Sequence, residues 1–527
     1  MEVNLTGNNG SNVTFAPGCE FWIADDRILE FNGAVSAIGN SSEPIVFSRY
    51  PSSSSYWRGL FLNNNSSEAN FSYCQFLYSG QDSYGTRKAF VNNGCSNLSL
   101  DNCLIQHSYG NGFYAEGLVS NDVCTINNLS IHDVNWTGFY CNSSYYNLNV
   151  TGLDLQNIGG YPLQLSTDLI SCFSSVSFNN IGNPYIPILS TWQNRNATWQ
   201  NFGLPYLISH ELIVNDGVTL NIAAGTTIYF ADYIIYSVNS LFVVYGVLNT
   251  LGTATEPVIF RGMDDDPSTW CGLKINQPDA VCNLSYTTVR NAGLDEQYSY
   301  PDEFCSFYVN SGTVNLTDCT ITLGNYNLIK QEGNGTLNLT RCQISSGSNG
   351  IIHNNGNLSL NNCEIIGCSN NGIYHNGGNI NFGSNSQQWN KIYNNPINFY
   401  NNTATLINAP YCWWGSIDND IIDNTIRDDE EGAAQVNFEP WFDSTCQILY
   451  YLTINAPTGI NIIQVNSSTL RLSWNAVTQA NSYKVLAAED PYSTEWIILQ
   501  ENISATQLDI QILPEQPYRF YKVVAVR

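Results

Sequence analysis

Short apolar alternations, L-x-L and I-x-F, run for three to six residues along this chain and are then broken by Asn-Gly, Gly-Asn or Asn-Asn. A period of two marks a strand with one buried face, and Asn and Gly accept the left-handed backbone of a tight turn. No segment sustains the 3.6 period of an amphipathic helix. The breaks recur at a fixed interval. IQHSYGNGFYAEG, IHDVNWTGFYCNS, LQNIGGYPLQLS and FNNIGNPYIPILS are anchored by Ile105, Ile131, Leu155 and Phe178, spaced 26, 24 and 23 residues apart. Ile321, Ile344 and Ile365 follow at 23 and 21. Strands at such a period predict a coil of parallel β, stacked at about 4.8 Å per turn, with each anchor returning to one inward column. Roughly 19 coils, or about 90 Å of stack, are expected at that rise.

The same logic reads the cysteines. Cys319, Cys342 and Cys363 recur in NLTDCTI, NLTRCQI and LSLNNCEI, and Cys103 in LSLDNCLI, which predicts a buried column of thiols. Cys271 with Cys282, and Cys412 with Cys446, lie outside the pattern and are the disulfide candidates, with pairing left open. A larger duplication overlies the coils. EPIVFSRY…YWRGLFL…ANFSYCQFLYSG matches EPVIFRGM…TWCGLKI…CNLSYTTVRNAG at an offset of 213. Two coil segments in tandem are therefore expected, residues 1–200 and 201–446, with a closing cap near 408–446.

GVTLNIAAGTTIYF, GVLNTLGTATEPVIF and the W-C-G-L turn resemble secreted bacterial right-handed parallel β-helix proteins of the pectin-lyase-like superfamily. NAPYCWWGS with VNFEPWF is similar to the segment that closes such helices. After Cys446 the character changes. APTGINIIQVNSSTLRLSWNAV…NSYKVLAAED…PYRFYKVVAVR is similar to a fibronectin type III domain over 453–527, with Trp474 in its B strand and Tyr483 in its C strand. About six strands are legible there, where the sandwich has seven. The fold class is thus all-β: two tandem right-handed parallel β-helix segments followed by a β-sandwich.

Composition narrows the partners. The 527 residues carry 44 acidic and 18 basic side chains, a net charge of −26, and only 12% are charged against about 25% in ordinary domains. No basic stretch offers phosphates a partner, so nucleic acid is excluded from the expected partners. No apolar run reaches the ~20 residues of a membrane helix. About 70 Asn take the place of charge, which stacked coils explain as hydrogen-bonded ladders. The N-L-S and N-L-T sequons at Asn97, Asn128, Asn315, Asn338 and Asn357 are read the same way, as strand starts. The chain shows no signal peptide at its start, yet its Asn, Ser, Thr, Gly and Tyr content points to an extracellular or cell-surface protein.

Four features carry candidate chemistry. Lys330, His353 and His375 are spaced 23 and 22 residues, which predicts one stacked column. The resemblance implies that such a row, with carboxylate-held Ca²⁺, can supply the base of a polysaccharide lyase. A solvated turn ladder is the competing reading. Asp264, Asp265 and Asp266 form one candidate calcium loop, and Asp418, Asp420 and Asp423 begin an acidic run that forms another. It continues through Asp428, Asp429, Glu430 and Glu431. Tyr114 and Tyr140, in two G-F-Y motifs, are candidates for stacking on sugar rings. The expected function is structural or adhesive at a surface, with carbohydrate or further copies of the chain as partner. A polysaccharide lyase or hydrolase is the alternative.

Overall fold

The computed structural model describes residues 4–63, 68–81, 87–116, 122–143, 147–231, 240–266, 269–293, 305–429, 432–451, 454–478, 480–512 and 520–526. These divide into two units, 1–449 and 450–527.

The first unit is a parallel β-solenoid of about 15 turns. Each regular coil lays down three strands, as in Thr313–Thr317, Thr320–Thr322 and Asn327–Gln331. From Ile186 onward these stack into parallel sheets of 8, 10 and 10 strands. The anchors pair as their spacing predicts: Ile105 with Ile131, Ile131 with Leu155, Leu155 with Phe178, and Ile321 with Ile344 and Ile344 with Ile365. There are fewer turns than the expected 19 because some coils are longer. Leu29 pairs with Leu60 and Leu273 with Phe307, so these coils take 31 and 34 residues.

One corner explains the cysteine spacing. Between the first two strands of a coil a single residue turns the chain with positive φ: 54° at Asp318, 52° at Arg341 and 56° at Asn362. The next residue is then driven inward, and it is Cys319, Cys342 or Cys363. Each sulfur meets backbone carbonyls, as Cys342 Sγ does with Leu316 O of the preceding coil at 3.3 Å. Cys103 does the same in the first segment, with Phe71 O at 3.6 Å. The thiol column is present.

Asparagine ladders run up the outside. Asn221, Asn249, Asn283, Asn315 and Asn338 are linked by amide-to-amide bonds of 2.9 Å at every step. This longest ladder lies on a strand face rather than at a turn. The sequon residues Asn315 and Asn338 belong to it, Asn128 bonds Asn102 at 3.2 Å, and Asn357 accepts from Asn379 at 3.0 Å.

The duplication extends to the geometry. Trp57 and Trp270 are both fully buried, and their indoles donate to Leu77 O and Arg290 O, positions again 213 apart. Tyr73 and Tyr286 both have positive φ, as do Gly59 and Gly272. The sheets of the second segment begin at Ile186, earlier than 201. At this seam Asp168, 3% exposed, accepts from the Gln193 amide and from the backbone N–H of Asn194 and Arg195 at 2.7, 2.8 and 3.1 Å.

The second unit holds two three-stranded antiparallel sheets, one containing Asn461–Asn466, Thr469–Ser473 and Gln507–Gln511, the other Ser482–Ala488, Ile497–Ile503 and Phe520–Val526. Trp474 and Tyr483 meet edge to face in its core, with Leu472, Val485, Ile503 and Val523. Among the described residues no helix is long and apolar enough to cross a membrane.

Candidate functional site

Lys330, His353 and His375 do not share a face. Lys330 pairs with Ile352, and Gln331 with His353, which pairs in turn with His375. The coil from Lys330 takes 22 residues, not 23, and a one-residue slip moves a side chain to the opposite face of the sheet. His353 and His375 therefore point inward, 0% and 1% exposed, with Phe399 stacked beyond at 6.3 Å. Their Nδ1 atoms are 3.0 Å apart, so one ring donates and the other accepts. Burial lowers both imidazoles to about 4, with the neighbouring His353 adding to the effect on His375. They are a neutral core pair rather than a solvated ladder.

Lys330 belongs to the outward row of the same sheet: Lys274, Tyr308, Lys330, Ile352, Tyr374, Tyr400 and Arg427 on successive coils. At the β rise this row spans about 30 Å. Lys330 Nζ meets Glu332 at 3.0 Å, Tyr374 and Tyr400 meet edge to face at 5.0 Å, and the Arg427 guanidinium lies 5.7 Å from the Tyr400 centroid. Three cations and three aromatic rings, with Ile352 between them, share this outward face, and Lys330 on it is only 8% exposed.

The calcium candidates are already engaged. Asp265 binds both Arg261 and Arg290, at 2.9 and 2.8 Å. Asp264 accepts from Thr269 Oγ1 at 2.6 Å and from the backbone N–H of Asp266 at 3.1 Å. This loop carries its own cations. Asp418 caps the short helix Asn419–Asp423 by accepting from Asp420 N at 3.0 Å, with Asp420 in the first turn and Asp423 in the last residue. That is the ordinary use of Asp at a helix start. Among the described residues no three His, Cys, Asp or Glu gather as a metal site. Glu430 and Glu431 lie outside the described residues.

Tyr114 and Tyr140 stack at 4.4 Å and 3°. Lys88, on the preceding strand, sits 3.3 Å over the Tyr114 ring, and the Tyr114 hydroxyl bonds Glu116. With a neighbour on each face, Tyr114 has no plane left for a sugar. Burial first, then the Glu116 bond, pushes its phenol well up. Cys271, Cys282, Cys412 and Cys446 form no disulfide. Cys282 lies in the core between Leu248 and Val314 of the neighbouring coils, and Cys412 heads the corner column, pairing with Asn390. Burial pushes the Cys446 thiol up to about 11.

The sequence did not single out a corner of the first segment. Tyr78, His107, Asp133, Asn157 and Asn180 all have φ between 53° and 56°. Register places them on successive coils. Tyr78 stacks on His107 at 4.6 Å, His107 Nδ1 is 3.4 Å from Asp133, Asn157 donates to Asp133 at 2.8 Å, and Asn180 to Asn157 at 2.8 Å. The Gln106 amide leads the groups that hold Asp133 below the usual carboxylate range. The repeat alignment already set His107, Asp133, Asn157 and Asn180 in one column, each two residues after its anchor.

No family model, no curated protein and no solved structure matches this chain.

Proposed function

We propose that this chain is a structural or adhesive protein of the extracellular surface, built on a pectin-lyase-like β-helix with a fibronectin type III-like module, and that its solenoid binds carbohydrate along one face. The outward row from Lys274 to Arg427 carries this reading. The adjacent rings of Tyr374 and Tyr400 with Arg427 beyond them suit an extended ligand that packs on amphipathic faces and meets a cation at one end. The module after residue 450 suits a spacer, with its Trp474–Tyr483 core and two small antiparallel sheets.

Binding to a panel of extracellular polysaccharides tests the idea. Tyr374→Ala with Tyr400→Ala is expected to weaken binding at least ten-fold while leaving the circular dichroism spectrum unchanged. Unaltered binding by this variant removes the row from the account. Release of unsaturated or reducing-end products from the same polysaccharides would favour the lyase or hydrolase instead. Oligomers in negative-stain images would make further copies of the chain a partner.

A further inference from the structure

One face of the second segment carries neither charge nor ring. Its 8-stranded sheet runs from Ala197–Trp199 through Thr313–Thr317 to Asn379–Asn381. The middle row of outward side chains is the asparagine ladder from Asn221 to Asn338. Thr313 and Thr336 flank it on one side, Thr317 and Thr340 on the other. Among the described residues every outward side chain of this sheet is Thr, Asn, Ser or Val, and each is partly or fully exposed. The other two sheets of the segment differ. Arg261, Glu364 and Lys391 face outward on one, and Lys274, Lys330 and Arg427 on the other.

The array is regular in two directions. The strands pair residue for residue at every junction, without a register shift. Side chains therefore repeat at about 4.8 Å from coil to coil and at about 6.7 Å from row to row. The ladder bonds of 2.9 Å at each step from Asn221 to Asn338 fix the amides in orientation. A sheet tied by such a ladder stays flat where others twist. Each interior ladder amide gives one N–H and one oxygen lone pair to its neighbours, and keeps one of each to turn outward.

This chemistry narrows the partner. With no charge the face has no ion to pair, and with no ring it has no plane on which to stack a sugar. A second copy docked here would bury amides and hydroxyls with only Val247 and Val281 as apolar contacts, unlike the apolar core of a stable interface. Ordered water fits on each count. It is neutral, it both donates and accepts, and the oxygen spacings on a prism face of hexagonal ice lie close to the two repeats of this array.

We infer that this sheet binds ice, its threonine hydroxyls and asparagine amides holding a layer of water in register with the crystal. One bridging water is held weakly, but the rows fix many at once on groups that the ladder has already ordered. Charged side chains, which keep strong hydration shells of their own, are absent from the contact. The inference does not rest on the carbohydrate reading above and uses a different sheet.

Nanolitre osmometry of the full chain, with albumin at equal concentration as the blank, tests it. The wild-type chain is expected to hold its freezing point below its melting point by several times the albumin value, and to shape growing crystals into facets. Thr313→Tyr with Thr336→Tyr raises two rings above the flat face and is expected to shrink that gap at least five-fold. Stacked tyrosines on adjacent strands already occur in this chain, at Tyr114 and Tyr140, and circular dichroism checks that the fold is kept. Should this variant fail to fold, Thr336→Lys alone sets a hydrated charge on the face and is expected to lose at least three-fold. Thr320→Tyr with Gln343→Tyr makes the same change on the neighbouring sheet and is expected to leave the gap intact. A wild-type chain no better than albumin overturns the inference. So does a folded face variant with an undiminished gap, or an equal loss in Thr320→Tyr/Gln343→Tyr. Binding to microcrystalline cellulose that the Thr313→Tyr/Thr336→Tyr variant loses, with no freezing gap in the wild type, would give the face to a crystalline polysaccharide instead.

Discussion

A difference of one residue decides which way a histidine faces. Lys330 and His353 are 23 apart, and their coil takes 22, so the lysine lies on the outward face, covered there to 8% exposure, while the histidine enters the core beside His375. Periodicity finds the strands but averages over such slips, because turns absorb or add residues without disturbing the apolar alternation. The buried pair has a pH consequence. The folded imidazoles titrate near 4, below the ordinary 6.5, so the unfolded chain binds more protons between these values. Stability is present above about pH 6.5 and falls as pH drops towards 4, by on the order of 3 kcal/mol for the pair. Asp428 acts with the opposite sign: burial raises its carboxyl to about 6, so its contribution favours the fold on acidification. Thermal melts of wild type against His353→Gln with His375→Asn, residues taken from the flanking steps of the same column, isolate the pair. The variant is expected to lose much less stability between pH 7 and pH 4.5. Parallel curves for the two proteins would refute the assignment.

At the scale of the element, the corner was legible wherever its chemistry was repeated in kind. Cys319, Cys342 and Cys363 announced one column because the same residue came back each coil. The column is longer than that, since Thr287 precedes Cys319 and Asn390 separates Cys363 from Cys412. Thr287 Oγ1 makes the thiol's kind of bond, to Ser285 O at 3.0 Å. Its place in the column predicts that Cys342→Thr costs no more than about 1 kcal/mol. The residue before each column cysteine is more demanding. Asn362 has φ of 56°, so Asn362→Val is expected to cost about 1–2 kcal/mol and Asn362→Gly very little. Chemical denaturation of the three variants measures the order. The corner of Tyr78, His107 and Asp133 escaped notice because its members differ in type from coil to coil. They meet only when stacked, and no single-residue pattern marks them.

For the solenoid as a whole, each coil touches only its neighbours, so cooperativity depends on every interface along the stack. The weakest joint should be where one set of sheets ends and another begins. There the chain leaves Leu165, enters the turn Thr167–Cys172, and starts new sheets at Ile186. Asp168 bridges that joint through Gln193, Asn194 and Arg195, and Thr167 adds a bond to Trp192 O at 2.6 Å. Burial raises the Asp168 carboxyl despite these donors, so it is held there at a cost the bonds must offset. Removing it takes the acceptor from the Asn194 and Arg195 N–H groups and from the buried Gln193 amide, which keeps only its bond to Arg195 O. Asp168→Ala is expected to destabilise the seam by about 3 kcal/mol. Such a loss would uncouple the two segments rather than weaken both equally. Denaturant unfolding followed by tryptophan fluorescence should then separate into two steps, since Trp57 and Trp270 report on cores to either side. A single transition displaced to lower denaturant, with an unchanged slope, would instead mean that the stack unfolds as one unit through contacts other than Asp168.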